Sequence, residues 1–173
     1  MSPHLLLTSF TTWLPHQTSN SADDLVGRIS DSTRFEQHVR MSLTFLRHLP
    51  VKAPIASQCV IDTIDEIEPS AIICCGMAES RQQLTIESNA TCGDLCVRSP
   101  VNLEPLIVNT QVKISHDAGK FVCEALYFSV LRHLLDKQLN SPCIFVHVPI
   151  LTTANLQTIT NDFRLILQKM ALL

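Results

Sequence analysis

Gln111-Val112-Lys113-Ile114-Ser115-His116-Asp117-Ala118-Gly119-Lys120-Phe121-Val122-Cys123 opens as a short apolar strand and passes through a small-residue turn into a helix. The helix is expected over residues 119–138, with Phe121, Ala125, Phe128, Leu131 and Leu135 near one apolar stripe. A buried strand follows in Cys143-Ile144-Phe145-Val146-His147-Val148. Strand, turn, helix and strand in that order form the repeating unit of a parallel sheet.

The same alternation extends in both directions. Leu5-Leu6-Leu7-Thr8-Ser9-Phe10 reads as a strand that breaks into a polar loop over residues 11–23. Phe35, Val39, Leu43 and Leu46 recur at helical spacing, so a helix is expected over residues 34–46, with a short strand around His48-Leu49-Pro50-Val51. Pro54 can open the next helix and Pro69 closes it, with Ile55, Cys59, Ile61, Ile64 and Ile67 between them. Further strands are expected at residues 71–76 and 83–89, and a final amphipathic helix carries Leu156, Ile159, Phe163, Leu167 and Met170. Residues 92–109, interrupted by Pro100 and Pro105, have no regular pattern. The expected architecture is a three-layer α/β/α sandwich around a mostly parallel sheet, formed by one domain over residues 1–173. Its functional loops gather at the carboxyl ends of the strands, near Phe10, Gly76, Ser115 and His147.

Composition narrows the function. Apolar residues make up 46% and charged residues 17%, which suits a folded body, and a net charge of -3 without any basic run disfavours nucleic acid and anionic membranes as partners. The opening residues carry no charged leader or cleavage pattern, and no stretch is long enough to span a membrane, so a cytoplasmic location with reduced thiols is expected. The seven cysteines include Cys74-Cys75, in an apolar run suited to buried thiols, and Cys92 with Cys96, without a second pair at zinc-site spacing. No metal site is expected.

Chemistry concentrates on Cys123 and His147. A thiol at a helix start and an imidazole near a strand end are a common way to assemble a cysteine nucleophile and its base. The helix amino end and a neighbouring imidazolium are expected to depress the Cys123 pKa. Glu87, in Leu84-Thr85-Ile86-Glu87, is the candidate to orient the imidazole, since an acid in an apolar strand needs a partner or water. The plainer readings are a packed thiol, a hydrogen-bonded core histidine and a carboxylate at a strand edge facing water. Asp117 reads either as a turn residue or as a local partner for a base.

Three segments resemble the pyroglutamyl-peptidase I family (pyrrolidone-carboxylate peptidases). The acidic motif of that family is similar to Gly76-Met77-Ala78-Glu79-Ser80-Arg81-Gln82-Gln83-Leu84-Thr85-Ile86-Glu87, its nucleophile motif to the run ending Ala118-Gly119-Lys120-Phe121-Val122-Cys123, and its histidine strand to Phe145-Val146-His147-Val148-Pro149. The opening strand and its aromatic loop also resemble the family's first strand. The resemblance implies a cysteine omega-peptidase with Cys123 as nucleophile, His147 as base and acid, and Glu87 as orienter. It further implies no cofactor, peptides with a pyroglutamyl-blocked N-terminus as partners, and frequent homo-oligomers.

The departures fall in the substrate pocket. The family's first loop carries two phenylalanines and a glycine pair; this chain has Phe10, Trp13 and then Leu14-Pro15-His16. Met77 replaces a glutamine, and Glu79-Ser80 replaces a double glycine. The stretch between Glu87 and Cys123 is shorter than usual, and Arg98 matches a family arginine only after a shift. Phe10, Trp13 and Met77 are therefore the candidate substrate-binding residues. The alternatives are a cysteine amidase for another small N-terminal acyl group and a catalytically inactive peptide-binding member.

Overall fold

The computed structural model describes residues 2–31 and 41–173. Among the described residues six strands form one sheet: β1 (His4–Phe10), β2 (Ser42–Leu49), β3 (Ala71–Met77), β4 (Thr85–Glu87), β7 (Lys113–Ser115) and β8 (Cys143–Val148). Their order across the sheet is β2-β1-β3-β8-β4-β7. β2, β1, β3 and β8 are mutually parallel, whereas β4 is antiparallel to β8 and parallel to β7. Two further strands, β5 (Asn89–Cys92) and β6 (Leu95–Arg98), form a separate hairpin. Its two-residue turn begins with Gly93 at φ 59, a conformation that suits glycine.

The helices are α1 (Ser21–Ser30), α2 (Ala53–Ile67), the short α3 (Glu104–Ile107), α4 (Val122–Asp136) and α5 (Leu156–Met170). Alternation along each strand divides the core into two layers. Leu5, Leu7, Ile73, Ile144 and Val146 face α1 and α5. Leu6, Ile72, Cys74, Cys143 and Phe145 face α2 and α4. The central strands are covered on both sides, which explains why Ala71–Met77 and Cys143–Val148 are nearly continuous apolar runs. The result is an α/β/α sandwich with a mostly parallel sheet.

Several expectations need correction. Residues 42–46, read as the end of a helix, belong to β2; residues 34–40 of that reading fall outside the described residues. Leu43 and Phe45 pack on one sheet face and Leu46 on the other, so two coated faces imitate helical spacing. The polar loop after β1 ends earlier than expected, because Asn20 caps α1 by accepting from Ala22 N at 3.0 Å and Asp23 N at 3.4 Å. On α4 the buried face is Val122, Leu126, Tyr127, Val130, Leu131 and Leu134. Phe121 and Leu135 are exposed, so the expected stripe was rotated by about one residue. Burying each of the large side chains on this face contributes about 1.5–3 kcal/mol before entropy is counted.

Strand direction also matters for the rim. The carboxyl ends of β1, β3 and β8 do point the same way, but β7 runs against them. Its first residue, Lys113, is level with Thr85 and hence with His147, while Ser115 is level with Glu87 and Phe145. Among the described residues no helix is long and apolar enough to cross a membrane.

Candidate active site

Register brings the acid and the imidazole to one sheet face. Glu87 is opposite Phe145 and Thr85 opposite His147 in the antiparallel β4–β8 pair, so all four side chains share a face. Glu87 is fully buried, and His147 Nδ1 donates to Glu87 Oε1 at 2.7 Å. The carboxylate is therefore no water-facing edge group. Because Nδ1 is committed to Glu87, Nε2 is the nitrogen left to accept a proton. The Phe145 ring packs beside the imidazole, with centroids 4.9 Å apart. Tyr127 Oη donates to the Glu87 carbonyl at 3.3 Å, fastening β4 to α4.

Cys123 enters from above this face. α4 begins at Val122, and Phe121 at its N-cap is extended and offers no side-chain cap. The first-turn amides therefore lack intrahelical acceptors and point toward the thiol end of the helix. Before that start, Asp117 Oδ1 accepts from Gly119 N at 2.9 Å, and Gly119 takes φ 90. Asp117 is thus the turn residue of the two readings.

Gly76, level with His147 on β3, supplies room for the sulfur. A Cβ there would lie 2.6 Å from Cys123 Sγ and 2.9 Å from Phe145 Cζ. No spacing rule exposed this role, although the glycine is the penultimate residue of an otherwise side-chain-rich buried strand.

Cys123 and His147 line one cavity of about 410 Å³, together with Phe10, Trp13, Met77 and Glu79. The thiol and imidazole form no hydrogen bond among the described residues. Burial first, then the Glu87 carboxylate and Cys74, pushes the Cys123 thiol up to about 12, with only a partial offset from its own backbone amide. This reverses the expected depression. The helix start is not enough to outweigh the desolvation of the thiol and the carboxylate near it.

The pocket wall combines expected and unexpected residues. Phe10 is buried, whereas Trp13 and Phe121 are 51% and 52% exposed and stack at 4.5 Å between centroids. Met77 lies at the end of β3, and its Sδ accepts from Ser21 N at 3.4 Å. Glu79 and Gln17 were missed by sequence reasoning. Gln17 Nε2 donates to Glu79 Oε1 at 2.9 Å, while Gln17 Oε1 accepts from Trp13 N and Leu14 N at 3.0 and 3.2 Å. The acid that replaces a glycine thus holds the first loop. Its pKa is lowered by the hydrogen bonds from Gln17 and His16. Arg98 lies elsewhere, beside a different cavity lined by Leu131 and Leu135.

Arg81 was quoted only as part of a motif. Its Nη2 donates to Ser115 Oγ at 3.2 Å and to the Asp117 carbonyl at 3.0 Å, and lies 3.7 Å from Glu87 Oε1. Among the described residues no cluster of three or more potential metal ligands occurs.

No protein-family model matches the chain. A pyrrolidone-carboxylate peptidase of Thermoanaerobacter pseudethanolicus is 24% identical over 174 aligned residues, spanning 85% of this chain and 82% of the relative. The crystal structure of Bacillus amyloliquefaciens pyroglutamyl peptidase I superposes with a TM-score of 0.84 at 18% identity, over 99% of this chain and 98% of that one. The pyrrolidone carboxyl peptidase of Thermococcus litoralis gives 0.82 at 17% identity, over 98% and 93%. These structural likenesses establish the shared fold.

Proposed function

Taking the chain as a divergent member of the pyroglutamyl-peptidase I family, we propose that it is a cysteine omega-peptidase that hydrolyses the amide after an N-terminal pyroglutamyl residue. The observation that carries this reading is the buried 2.7 Å His147–Glu87 hydrogen bond facing the same cavity as Cys123. The match to a pyrrolidone-carboxylate peptidase along most of the chain supports the substrate class.

The resting thiol is protonated, because burial holds its pKa near 12. Substrate then has to draw the thiol and His147 Nε2 together. As Sγ attacks the scissile carbonyl, Nε2 takes the thiol proton, and Glu87 steadies the imidazolium through Nδ1. Free amides at the start of α4 receive the developing oxyanion. The imidazolium returns its proton to the departing amine, leaving a thioester on Cys123. Water, deprotonated by the same imidazole, hydrolyses that thioester and restores the thiol. Phe10 and Trp13 bound an apolar slot suited to a neutral five-membered lactam.

Hydrolysis of a fluorogenic pyroglutamyl amide tests the proposal. Wild-type protein should release the fluorophore, and Cys123→Ser should lower the rate by roughly a thousandfold or more. Equal rates would reject Cys123 as the nucleophile.

Glu79 favours a second reading. It puts a carboxylate on the pocket wall, where a neutral lactam has no charge to match. The same machinery would then serve another small N-terminal acyl group. A panel of blocked and free N-terminal amides separates the two, since a large preference for the pyroglutamyl substrate removes the second.

A further inference from the structure

We infer that Arg81 is a positioning residue that neutralises the buried Glu87 carboxylate and clamps the turn leading to Cys123. This rests on the triad proposed above. One guanidinium spans both halves of the site: the Glu87 side through its 3.7 Å ion pair, and the nucleophile side through Ser115 Oγ and the Asp117 carbonyl. Arg81 is two-thirds sequestered, whereas Glu87 has no exposed surface.

The carboxylate needs such a partner. Oε1 serves His147 and receives a 3.4 Å contact from Thr85 Oγ1, while Oε2 is buried without a hydrogen-bond partner among the described residues. A half-satisfied buried anion is costly unless a cation faces it. The surrounding groups do not supply one. α4 presents the neutral Cys123 and Tyr127, while its Glu124 accepts from Thr91 N on the hairpin, and β3 presents Cys74. β8 presents Cys143 and His147 itself, and the turn after β7 presents Asp117. Lys113 on β7 is level with Thr85 but exposed. Arg81 lies 3.7 Å from this carboxylate, beside the imidazole that Glu87 orients.

Removing the positive charge should let a proton compete more strongly for the Glu87–His147 pair. The fork geometry has a separate consequence, since one ammonium cannot reach Ser115, Asp117 and Glu87 together as a guanidinium does.

The experiment compares wild type, Arg81→Gln and Arg81→Lys. Two readouts are the pH dependence of kcat/KM on a fluorogenic pyroglutamyl amide and the NMR titration of the His147 ring C–H resonance. Arg81→Gln keeps donors for the turn but drops the charge. It should move both the acid limb and the imidazole titration to higher pH by roughly one unit. Arg81→Lys should restore most of that displacement while kcat stays about threefold or more below wild type. An imidazole titration that does not move in Arg81→Gln overturns the inference, even if activity falls uniformly at every pH. Should wild-type protein leave the pyroglutamyl amide uncut, the resonance still decides: a moved titration upholds the Arg81 coupling while the substrate reading fails. If Arg81→Gln does not fold, Arg81→Lys decides alone, and a titration displaced as far as one unit there counts against the charge role.

Discussion

Gly76 and Cys123 occupy what would be one atom's worth of space: a Cβ on the glycine would stand 2.6 Å from the sulfur. The close approach forces β3 to forgo a side chain where it passes beneath the thiol. Gly76→Ala should displace Sγ, because the added methyl would overlap both the sulfur and the Phe145 ring. Overpacking of this kind costs about 1–3 kcal/mol. The expected outcome is a loss of kcat of at least about tenfold with a modest fall in Tm, measured by amide hydrolysis and thermal unfolding. Full activity in Gly76→Ala would mean that the sulfur position is not critical.

The high Cys123 pKa has its own signature. In a background with the exposed Cys92 and Cys96 replaced by Ser, iodoacetamide should label Cys123 slowly at pH 7 and faster as pH rises beyond 9. A rate plateau near neutral pH would contradict this. Stability follows the same direction. The folded state holds this proton more tightly than the unfolded state, so the contribution is complete below the unfolded thiol pKa and is lost as pH rises from about 9 toward about 12.

Glu87→Gln keeps the side-chain shape but removes the charge that steadies an imidazolium. Since His147 Nδ1 points at Glu87, the amide can also present its NH₂ to that nitrogen and select the wrong tautomer. kcat should fall by roughly 10²–10⁴ with KM changed little. A KM effect alone in steady-state assays would assign Glu87 to substrate binding instead.

Asp23 ties together three elements distant from the thiol. It accepts from Ser9 Oγ at 2.6 Å and pairs with Arg47 Nη2 at 2.7 Å and His48 Nδ1 at 3.4 Å. Burial raises its pKa, but the Arg47 and Ser9 hydrogen bonds with the Arg47 and His48 charges outweigh that effect, leaving it lowered. A depressed carboxyl stabilises the fold above its unfolded pKa, and that contribution is lost as pH falls through the folded value. Arg47→Met should therefore lower stability by about 2 kcal/mol near neutral pH, and by less in acid. Urea unfolding at several pH values checks this, and a deficit independent of pH would rule out the charge pair as its source.

Trp13 and Glu79 test the pocket. Trp13→Ala removes half of the Trp13–Phe121 stack and should raise KM by about tenfold. Glu79→Gln should loosen the Gln17 clamp and raise KM by about threefold, with kcat largely retained in the same assay. Unchanged KM in both variants would move substrate binding to another wall.

The elements easiest to read in the sequence were those with one dominant constraint. Ala71–Met77 and Cys143–Val148 are central strands whose apolar runs admit few alternatives, and Pro54 marks the start of α2 by its missing donor. β2 deceived because an edge strand with apolar residues on both faces mimics a 3.6-residue period. α1 escaped notice because its cap at Asn20 sits inside a long polar loop. For the candidate site, Glu87, Cys123 and His147 were singled out by motif, and the fold brings Glu87 and His147 into a hydrogen bond and Cys123 and His147 to one cavity. The reversed direction of β4, the gap left by Gly76 and the reach of Arg81 depend on register across strands far apart in sequence, which local pattern does not encode.

The sheet order has a temporal consequence. β8 lies between β3 and β4, although both of those strands precede it by many residues along the chain. During synthesis the carboxylate and the thiol emerge while the slot between their neighbours is still vacant. Only insertion of β8, with the imidazole on it, can close that slot. Long-range pairings of this kind form late. A chain lacking β8 would therefore hold Glu87 and Cys123 without the imidazole that β8 carries between their neighbours.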